Sequence, residues 1–321
     1  MRITVLAGGP SSEREISLIS GRAVADGLRA AGHDVFVGDV SPTDLSALDT
    51  PADVIFPVLH GDFGESGELQ LVLEQRNLKF VGSGSKASHI GMNKIATKEV
   101  WCDHNLPTPA WRVMDNPIQS IEDLPWIINR GTGVPPVMQN EHGRDARATL
   151  NHARTLVVKA IHSGSSIDVF VCTSIDKAIE ASRDLLTRHA TYMVEQFVAG
   201  TELTVGLLDD VALPPIRIET SRAFFDFEAK YKGLGSHDFD TRLPEAVVRQ
   251  CQTLAVSASR VLGCRHLGRV DLIVDANHQP WLLEINTIPG FTPVSLLPEA
   301  AARAGVAFPQ LVDRLVRLAA G

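Results

Sequence analysis

Residues 268–290 read Gly-Arg-Val-Asp-Leu-Ile-Val-Asp-Ala-Asn-His-Gln-Pro-Trp-Leu-Leu-Glu-Ile-Asn-Thr-Ile-Pro-Gly. Two apolar runs flank a polar turn at Asp275–Gln279, the pattern of a β-hairpin. With the hairpin centred between Asn277 and His278, Arg269 stands opposite Asn286 and Asp271 opposite Glu284. Side chains alternate faces along a strand. Val270, Leu272, Val274, Trp281, Leu283 and Ile285 are therefore expected on one apolar face. Arg269, Asp271, Glu284 and Asn286 are expected on the other. Two carboxylates directly across a ladder repel, so this face needs a cation. Carboxylate and amide oxygens suit a hard divalent ion, and Mg²⁺ beside phosphates is the commonest such case.

Outward from the hairpin, the chain has 321 residues, enough for two or three domains with proper cores. Hydrophobic residues make up 44% and charged residues 21%, ordinary for a soluble globular protein. The net charge of −8 argues against a general nucleic-acid binder. Cys102, Cys172, Cys251 and Cys264 have no metal-ligand spacing and read as reduced thiols of a cytoplasmic protein. The first apolar run is too short for a signal peptide, and no later segment is expected to span or bind a membrane.

The first 85–90 residues alternate strand and helix. Strands are expected at 2–7, 34–38, 53–59 and 78–81. Helices are expected from a Ser12/Glu15 capping box to about 31, and at 66–76. That rhythm predicts an open, mostly parallel α/β sheet. A helix over 86–105 follows, then strands at 110–114 and 155–160. Between these strands, residues 129–154 are rich in Gly, Pro and polar side chains and read as a surface insertion. Further on, helices are expected at 174–189, 244–262 and 308–320, and strands at 191–197, 201–208 and 213–219. The organisation expected is an N-terminal α/β domain (1–89), a central domain (90–193) and a C-terminal domain (194–321).

Lys159 ends an apolar strand and precedes His162-Ser-Gly-Ser-Ser, a small-residue loop. A Lys beside such a loop can hold phosphate by point charge and backbone N–H groups, although most Gly/Ser loops are plain turns. Glu195 and Glu202 flank the next strand end. They suit a nucleoside, with backbone on the adenine edge and Glu202 on a ribose hydroxyl, or else are solvated charges.

The order of strand Lys, Gly/Ser loop, strand-end Glu and acidic hairpin resembles the ATP-grasp ligases, in which two α+β domains clamp ATP and Mg²⁺. Within them the chain resembles the D-alanine–D-alanine ligase family over nearly its full length. The carriers are Ala7-Gly-Gly-Pro-Ser-Ser-Glu-Arg-Glu-Ile-Ser, Leu59-His-Gly with Gly64-Glu-Ser-Gly, Gly82-Ser-Gly with Met92-Asn-Lys, Phe227-Glu-Ala-Lys-Tyr, and Gly268 through Leu296. The resemblance implies ATP-dependent joining of two D-alanines through a D-alanyl phosphate, for peptidoglycan precursors, by a cytoplasmic homodimer. Related readings are a D-alanine–D-lactate or D-alanine–D-serine ligase, or a catalytically weak ATP-binding regulator.

Residue roles follow from the resemblance. Asp271, Glu284 and Asn286 look like ligands of two Mg²⁺ ions, with Mn²⁺ as a substitute. Arg269 looks like the cation for the acyl phosphate. Lys94, Lys159 and Lys230 look like phosphate contacts, with Ser166 beside them, and Glu195, Phe197, Val198 and Glu202 like the nucleoside site. Glu13 looks like the anchor for the first D-alanine's ammonium, though a first-turn helix charge would favour the same residue. His60 looks like a substrate-site residue, or a structural histidine after a strand. Ser165 and Tyr231 resemble the pair that, with Glu13, ties a loop over the first substrate, and Tyr231 goes with D-alanine as acceptor. Ser295, Leu296 and the backbone at Gly290 look like the seat of the second substrate's carboxylate. The chain departs from the family in its loop, where Asp168 stands in place of Gly, and in a lid ending Leu243-Pro244. A carboxylate so near phosphates must point away or meet a metal.

Overall fold

A computed structural model describes residues 1–120, 123–124, 155–162, 168–220 and 235–321. In chain order these form β1 (Arg2–Leu6), α1 (Arg14–Ala30), β2 (Asp34–Gly38), β3 (Val54–Pro57), α2 (Asp62–Glu65), α3 (Glu68–Gln75), α4 (Ser85–Met92) and α5 (Lys94–Asp103). Next come β4 (Trp111–Met114), β5 (Leu156–Lys159), β6 (Val169–Cys172), α6 (Ile175–Leu186), β7 (Tyr192–Gln196), β8 (Gly200–Leu208), β9 (Val211–Ala212), β10 (Ile216–Thr220) and β11 (Gly235–Asp238). The chain closes with α7 (Glu245–Val261), β12 (Leu267–Asp275), β13 (Pro280–Asn286), α8 (Leu296–Arg303) and α9 (Phe308–Ala320).

The first sheet is parallel, in the order β2-β1-β3. Helix α1 lies on it because Ser17, Ser20, Gly21, Val24 and Leu28 recur at helical spacing and are all buried. Gly21 is required there: a Cβ would fall 2.3 Å from the Ala7 methyl. The expected strand at 78–81 is reduced to a single parallel bridge, Phe80 to Ile55. The Ser12/Glu15 capping box is not formed either. Helix α1 begins at Arg14 with Glu13 at its cap, and the preceding turn is closed by Ser11, whose Oγ accepts from Glu13 N at 3.1 Å.

The other two sheets pair antiparallel throughout. One runs β4-β7-β5-β6; the other runs β11-β10-β8-β12-β13, with β9 on β8. Strand β6, a short apolar run of the kind that reads equally as strand or loop edge, was not expected from the sequence, and neither was β11. The expected helix over 86–105 breaks at Asn93. Its side chain leaves the helical path to accept from Ile95 N (3.0 Å) and Ala96 N (3.1 Å), capping α5. That cap sets Lys94 at the first position of a new helix.

In the β12–β13 hairpin the pairs Arg269↔Asn286 and Asp271↔Glu284 form as expected. The register then shifts by one residue, and beyond it Leu272 faces Leu282 and Ile273 faces Trp281. Leu283 is the extra residue of a bulge. The buried face is therefore Val270, Leu272, Val274, Leu282 and Ile285, while Trp281 and Leu283 are only half-buried. Helix α9 returns to pack on α1. One continuous core joins the parallel sheet, the long antiparallel sheet, α8 and α9. This shared core sets the N-terminal turns beside the hairpin.

Candidate active site

The polar hairpin face carries most of the chemistry. Arg269 donates from Nε to Asp271 Oδ1 and from Nη2 to Asp271 Oδ2, both at 3.0 Å. Thr204 of β8, which lies opposite Asp271 on the other side, donates to Oδ1 at 2.5 Å. Lys94 Nζ stands 3.9 Å from Glu284 Oε2. At an effective dielectric of about 20, carboxylates about 5 Å apart repel by about 3 kcal/mol. Burial of Val270, Leu272 and Leu282, each worth roughly 1.5–3 kcal/mol, holds the register against that. Arg269 and Lys94 offset what remains. Asn286 Oδ1 accepts from Ile288 N at 3.0 Å, which orients the amide oxygen and leaves it a second lone pair.

Among the described residues no three His, Cys, Asp or Glu side chains form a metal cage. Two carboxylates and an amide oxygen are a sparse set. They suit Mg²⁺, which keeps several waters and takes its remaining ligands from phosphates, better than a metal held wholly by protein. The fit rests on the Asp271↔Glu284 opposition itself.

A second cluster lies between α5 and the β5–β7 pair. Glu195 is buried, with Oε2 2.7 Å from Lys159 Nζ and Oε1 2.5 Å from Lys98 Nζ. It is not a solvated strand-end charge. Burial would raise its carboxyl, but the charges of Lys159 and then Lys98 outweigh burial and hold it below the usual range. Lys98 also reaches Thr108 Oγ1 and lies 5.3 Å from the centre of the Trp111 ring. Sequence reasoning missed Lys98. Its signal was the spacing Lys94-x-x-x-Lys98, which sets both on one helix face. Phe197 and Val198 follow β7, half-buried, and Glu202 lies near the start of β8, opposite Ile273.

Burial pushes the Lys98 ammonium down to about 8, against the attraction of Glu195. Below that pH two cations share one carboxylate. Above it Lys98 is neutral and Glu195 binds Lys159 alone, which would hold Lys159 back from the phosphate contact that the resemblance implies for it. The value of kcat/KM for ATP, which reports the free protein, is expected to fall as pH rises through about 8. In Lys98→Met that limb should vanish, leaving a low and flat profile. A pH series of initial rates on both proteins checks this.

The third group comes from the N-terminal turns. Glu13 is half-buried at the start of α1, and His60 is buried just beyond β3. His60 Nδ1 lies 3.8 Å from Glu65 Oε1, and Glu65 Oε2 accepts from Gly61 N at 2.7 Å. Burial would lower the His60 pKa. Glu65 and then Glu13 overcome it, with Arg269 opposing, so the ring is protonated to higher pH than usual. His60, Glu13 and Arg269 thus share one electrostatic neighbourhood, although they come from opposite ends of the chain. Glu65 was quoted in a motif but not read as a site residue.

The turn after β13 completes the wall. Ser295 Oγ accepts from Thr292 N at 3.0 Å and lies 2.8 Å from Thr292 Oγ1. Gly290 leaves room for it, since a Cβ there would come within 2.8 Å of Ser295 Oγ. Phe291 N donates to Ser20 Oγ of α1 at 3.3 Å, and the Phe291 ring meets Phe56 edge-on at 5.4 Å. Leu296 begins α8, half-buried against the shared core. Ser165, Ser166, Lys230 and Tyr231 lie outside the described residues.

A parallel α/β sheet followed by two antiparallel units, with an acidic hairpin beside Lys94 and a buried strand lysine, Lys159, paired with Glu195, defines the ATP-grasp class of ligases. A family profile described as "D-ala D-ala ligase C-terminus" matches residues 138–317. D-alanine–D-alanine ligase of Gloeobacter violaceus is 39% identical over 98% of this chain and 98% of its own length. That of Desulforamulus reducens is 39% identical over 99% of this chain and 98% of its own. The crystal structure of D-alanine–D-alanine ligase from Bacillus anthracis superposes with a TM-score of 0.82 at 26% identity, covering 99% of this chain and 97% of that one. The same enzyme complexed with ATP superposes with a TM-score of 0.80 at 26% identity, over 99% and 96%. The chain belongs to the D-alanine–D-alanine ligase family.

Proposed function

We propose that this chain joins two D-alanine molecules into D-alanyl-D-alanine with ATP as the energy source, supplying peptidoglycan precursors. The observation that carries the reading is the Asp271↔Glu284 pair on the face where Arg269 and Lys94 converge. A carboxylate is a poor electrophile, and transfer of the γ-phosphoryl group to it creates a good leaving group. The first D-alanine's carboxylate oxygen attacks the γ-phosphorus and the bond to ADP breaks. The second D-alanine's neutral amine then attacks the acyl carbon, phosphate departs with the bonding pair, and the amine loses a proton.

Bound at Asp271, Glu284 and Asn286, two Mg²⁺ ions would shield the phosphates' negative charge, and Mn²⁺ has the same preference for oxygen ligands. Lys94 and Lys159 bear on the phosphates as point charges. Lys98 keeps Glu195 occupied so that Lys159 can turn to them. Arg269 faces the charge that develops at the acyl phosphate. Glu13 receives the first substrate's ammonium and the His60 ring neighbours its carboxylate. Gly290 N–H, Ser295 and Leu296 seat the second substrate. Glu195, Phe197, Val198 and Glu202 surround the nucleoside, and Ser165, Ser166, Lys230 and Tyr231 carry their family roles. No helix among the described residues is long and apolar enough to cross a membrane. Dependence on ATP fits a cytoplasmic setting, and the family resemblance fits a homodimer.

Two assays test the chemistry. With D-alanine, Mg·ATP and hydroxylamine, D-alanyl hydroxamate should form, since hydroxylamine traps an acyl phosphate. Its absence alongside dipeptide formation would exclude that intermediate. With D-alanine and an excess of D-lactate or D-serine, the dipeptide D-alanyl-D-alanine should remain the main product. A dominant ester or mixed dipeptide would assign the acceptor to the related ligases instead.

A further inference from the structure

Asp168 has φ +60°, in the left-handed region that glycine adopts freely and that Asp and Asn visit more readily than other side chains. Its surroundings account for that. Oδ1 accepts from Arg188 Nη2 at 2.8 Å, and Oδ2 lies 2.8 Å from His189 Nε2. Arg188 is itself held by Asp184, through Nη1 at 3.0 Å and Nη2 at 2.8 Å. Both partners sit in the closing turn of α6, where Arg188 N and His189 N donate to Leu185 O at 3.0 and 2.8 Å. That helix packs on the sheet that holds Lys159 and Glu195. The carboxylate therefore points to α6 and is neutralised there.

The backbone of Asp168 does a second thing. Its carbonyl accepts from Ala160 N at 3.0 Å, one step beyond the last strand pair, Lys159↔Val169. On the other side Ile161 O accepts from Lys94 N at 3.2 Å. The connection leaving Lys159 is thus fastened at Ala160 to Asp168, at Ile161 to Lys94, and at Asp168 to α6. The two lysines read as phosphate contacts are joined through this short stretch of backbone.

We propose that Asp168, clamped by Arg188 and His189, is a positioning residue that holds the backbone beside Lys159 and Lys94 in the geometry that receives the ATP phosphates. The inference rests on the reading of Lys159 and Lys94 as phosphate contacts, so the test carries a control for that reading. Steady-state kinetics would be measured on the full chain with Asp168→Gly, Asp168→Asn, Arg188→Ala and Lys159→Met, with melting midpoints for each.

Asp168→Gly keeps the left-handed backbone accessible and removes the clamp. It is expected to raise the KM for ATP about tenfold, the usual scale for losing an outer-shell support, with the KM values for D-alanine unchanged. Arg188→Ala should act alike, and Asp168→Asn, which keeps one acceptor, should lie between. The double variant Asp168→Gly/Arg188→Ala should be no worse than either single change. An unchanged KM for ATP in Asp168→Gly and Arg188→Ala, while Lys159→Met raises it, would overturn the positioning role. An unchanged KM in Lys159→Met as well would overturn the phosphate-site reading, and the positioning role with it. A lowered melting midpoint without any change in KM would leave Asp168 a structural tether only, which also overturns the proposal.

Discussion

Glu284→Gln is expected to lower turnover by roughly 10²–10³-fold or more while the fold persists, the scale found when one charge-stabilising group is removed from an active site. The strand that carries Glu284 is held by the burial of Leu282 and Ile285 and by its ladder to β12. Glutamine keeps the shape and the backbone pairing. It removes the charge that, with Asp271, would make the face a cation site. The remaining set, one carboxylate and two amides, binds a hard divalent ion more weakly, so the Mg²⁺ concentration for half-maximal rate should rise as turnover falls. Circular dichroism and the melting midpoint should stay near those of the parent, because relief of the Asp271↔Glu284 repulsion offsets the lost contact with Lys94. Turnover against Mg²⁺ concentration checks this, and a fully active variant would remove the metal assignment. Glu284 is the better choice for this test than Asp271. Asp271→Asn would also cost Arg269 one of its two hydrogen bonds and its charge partner, and so confuse the two roles.

Arg269→Lys should lower kcat by about 10²–10³-fold with little change in the KM for ATP. The guanidinium is planar and meets Asp271 through two parallel bonds, which fixes where its outer edge faces. An ammonium is a point charge on a flexible stem and cannot keep that orientation. Charge is conserved in the substitution, so ground-state attraction for Mg·ATP survives and the loss falls on the step in which charge develops. Equal losses in kcat and in kcat/KM would be the signature of an interaction made in the transition state. A rise in the KM for ATP with unchanged kcat would make Arg269 a binding residue only.

The pairing of Arg269 with Asn286 and Asp271 with Glu284 could be read from sequence because period-2 alternation and a polar turn fix a hairpin's centre to within one residue. The bulge at Leu283 could not. It depends on backbone choices that leave the apolar and polar composition unchanged, so Leu282 rather than Trp281 or Leu283 reached the core. Helices α1 and α9 were legible from their amphipathic spacing. What α9 packs against was not, because that contact spans nearly the whole chain. The capping box at Ser12 failed for a similar reason: the Gly8-Gly9 turn and Arg14 are held instead by Asp39, through Gly9 N at 2.8 Å and Arg14 Nη2 at 2.5 Å.

Among site residues, the hairpin set emerged from opposed charge alone. Glu195 did not, since a strand-end glutamate reads as solvated until the two lysines that bury with it are known. Lys98 had only its helical spacing from Lys94 to mark it, and nothing in the sequence tied it to Glu195. Asp168 looked harmful beside phosphates. Its partners Arg188 and His189, some twenty residues on, turn it away from them. That removes one of the two grounds for a catalytically weak regulator; the other, the insertion at 129–154, lies outside the described residues. Glu13, His60 and Ser295 came from the resemblance, and the shared core explains how Glu13 and His60 come to lie near Arg269 of the hairpin.

The most direct measurement is release of phosphate from Mg·ATP by the full chain with D-alanine, with L-alanine, and with neither. The account predicts release that depends on D-alanine, one phosphate per D-alanyl-D-alanine formed, and close to none in the other two mixtures. Phosphate release without dipeptide, or none in any mixture from a protein that still binds ATP, would contradict it.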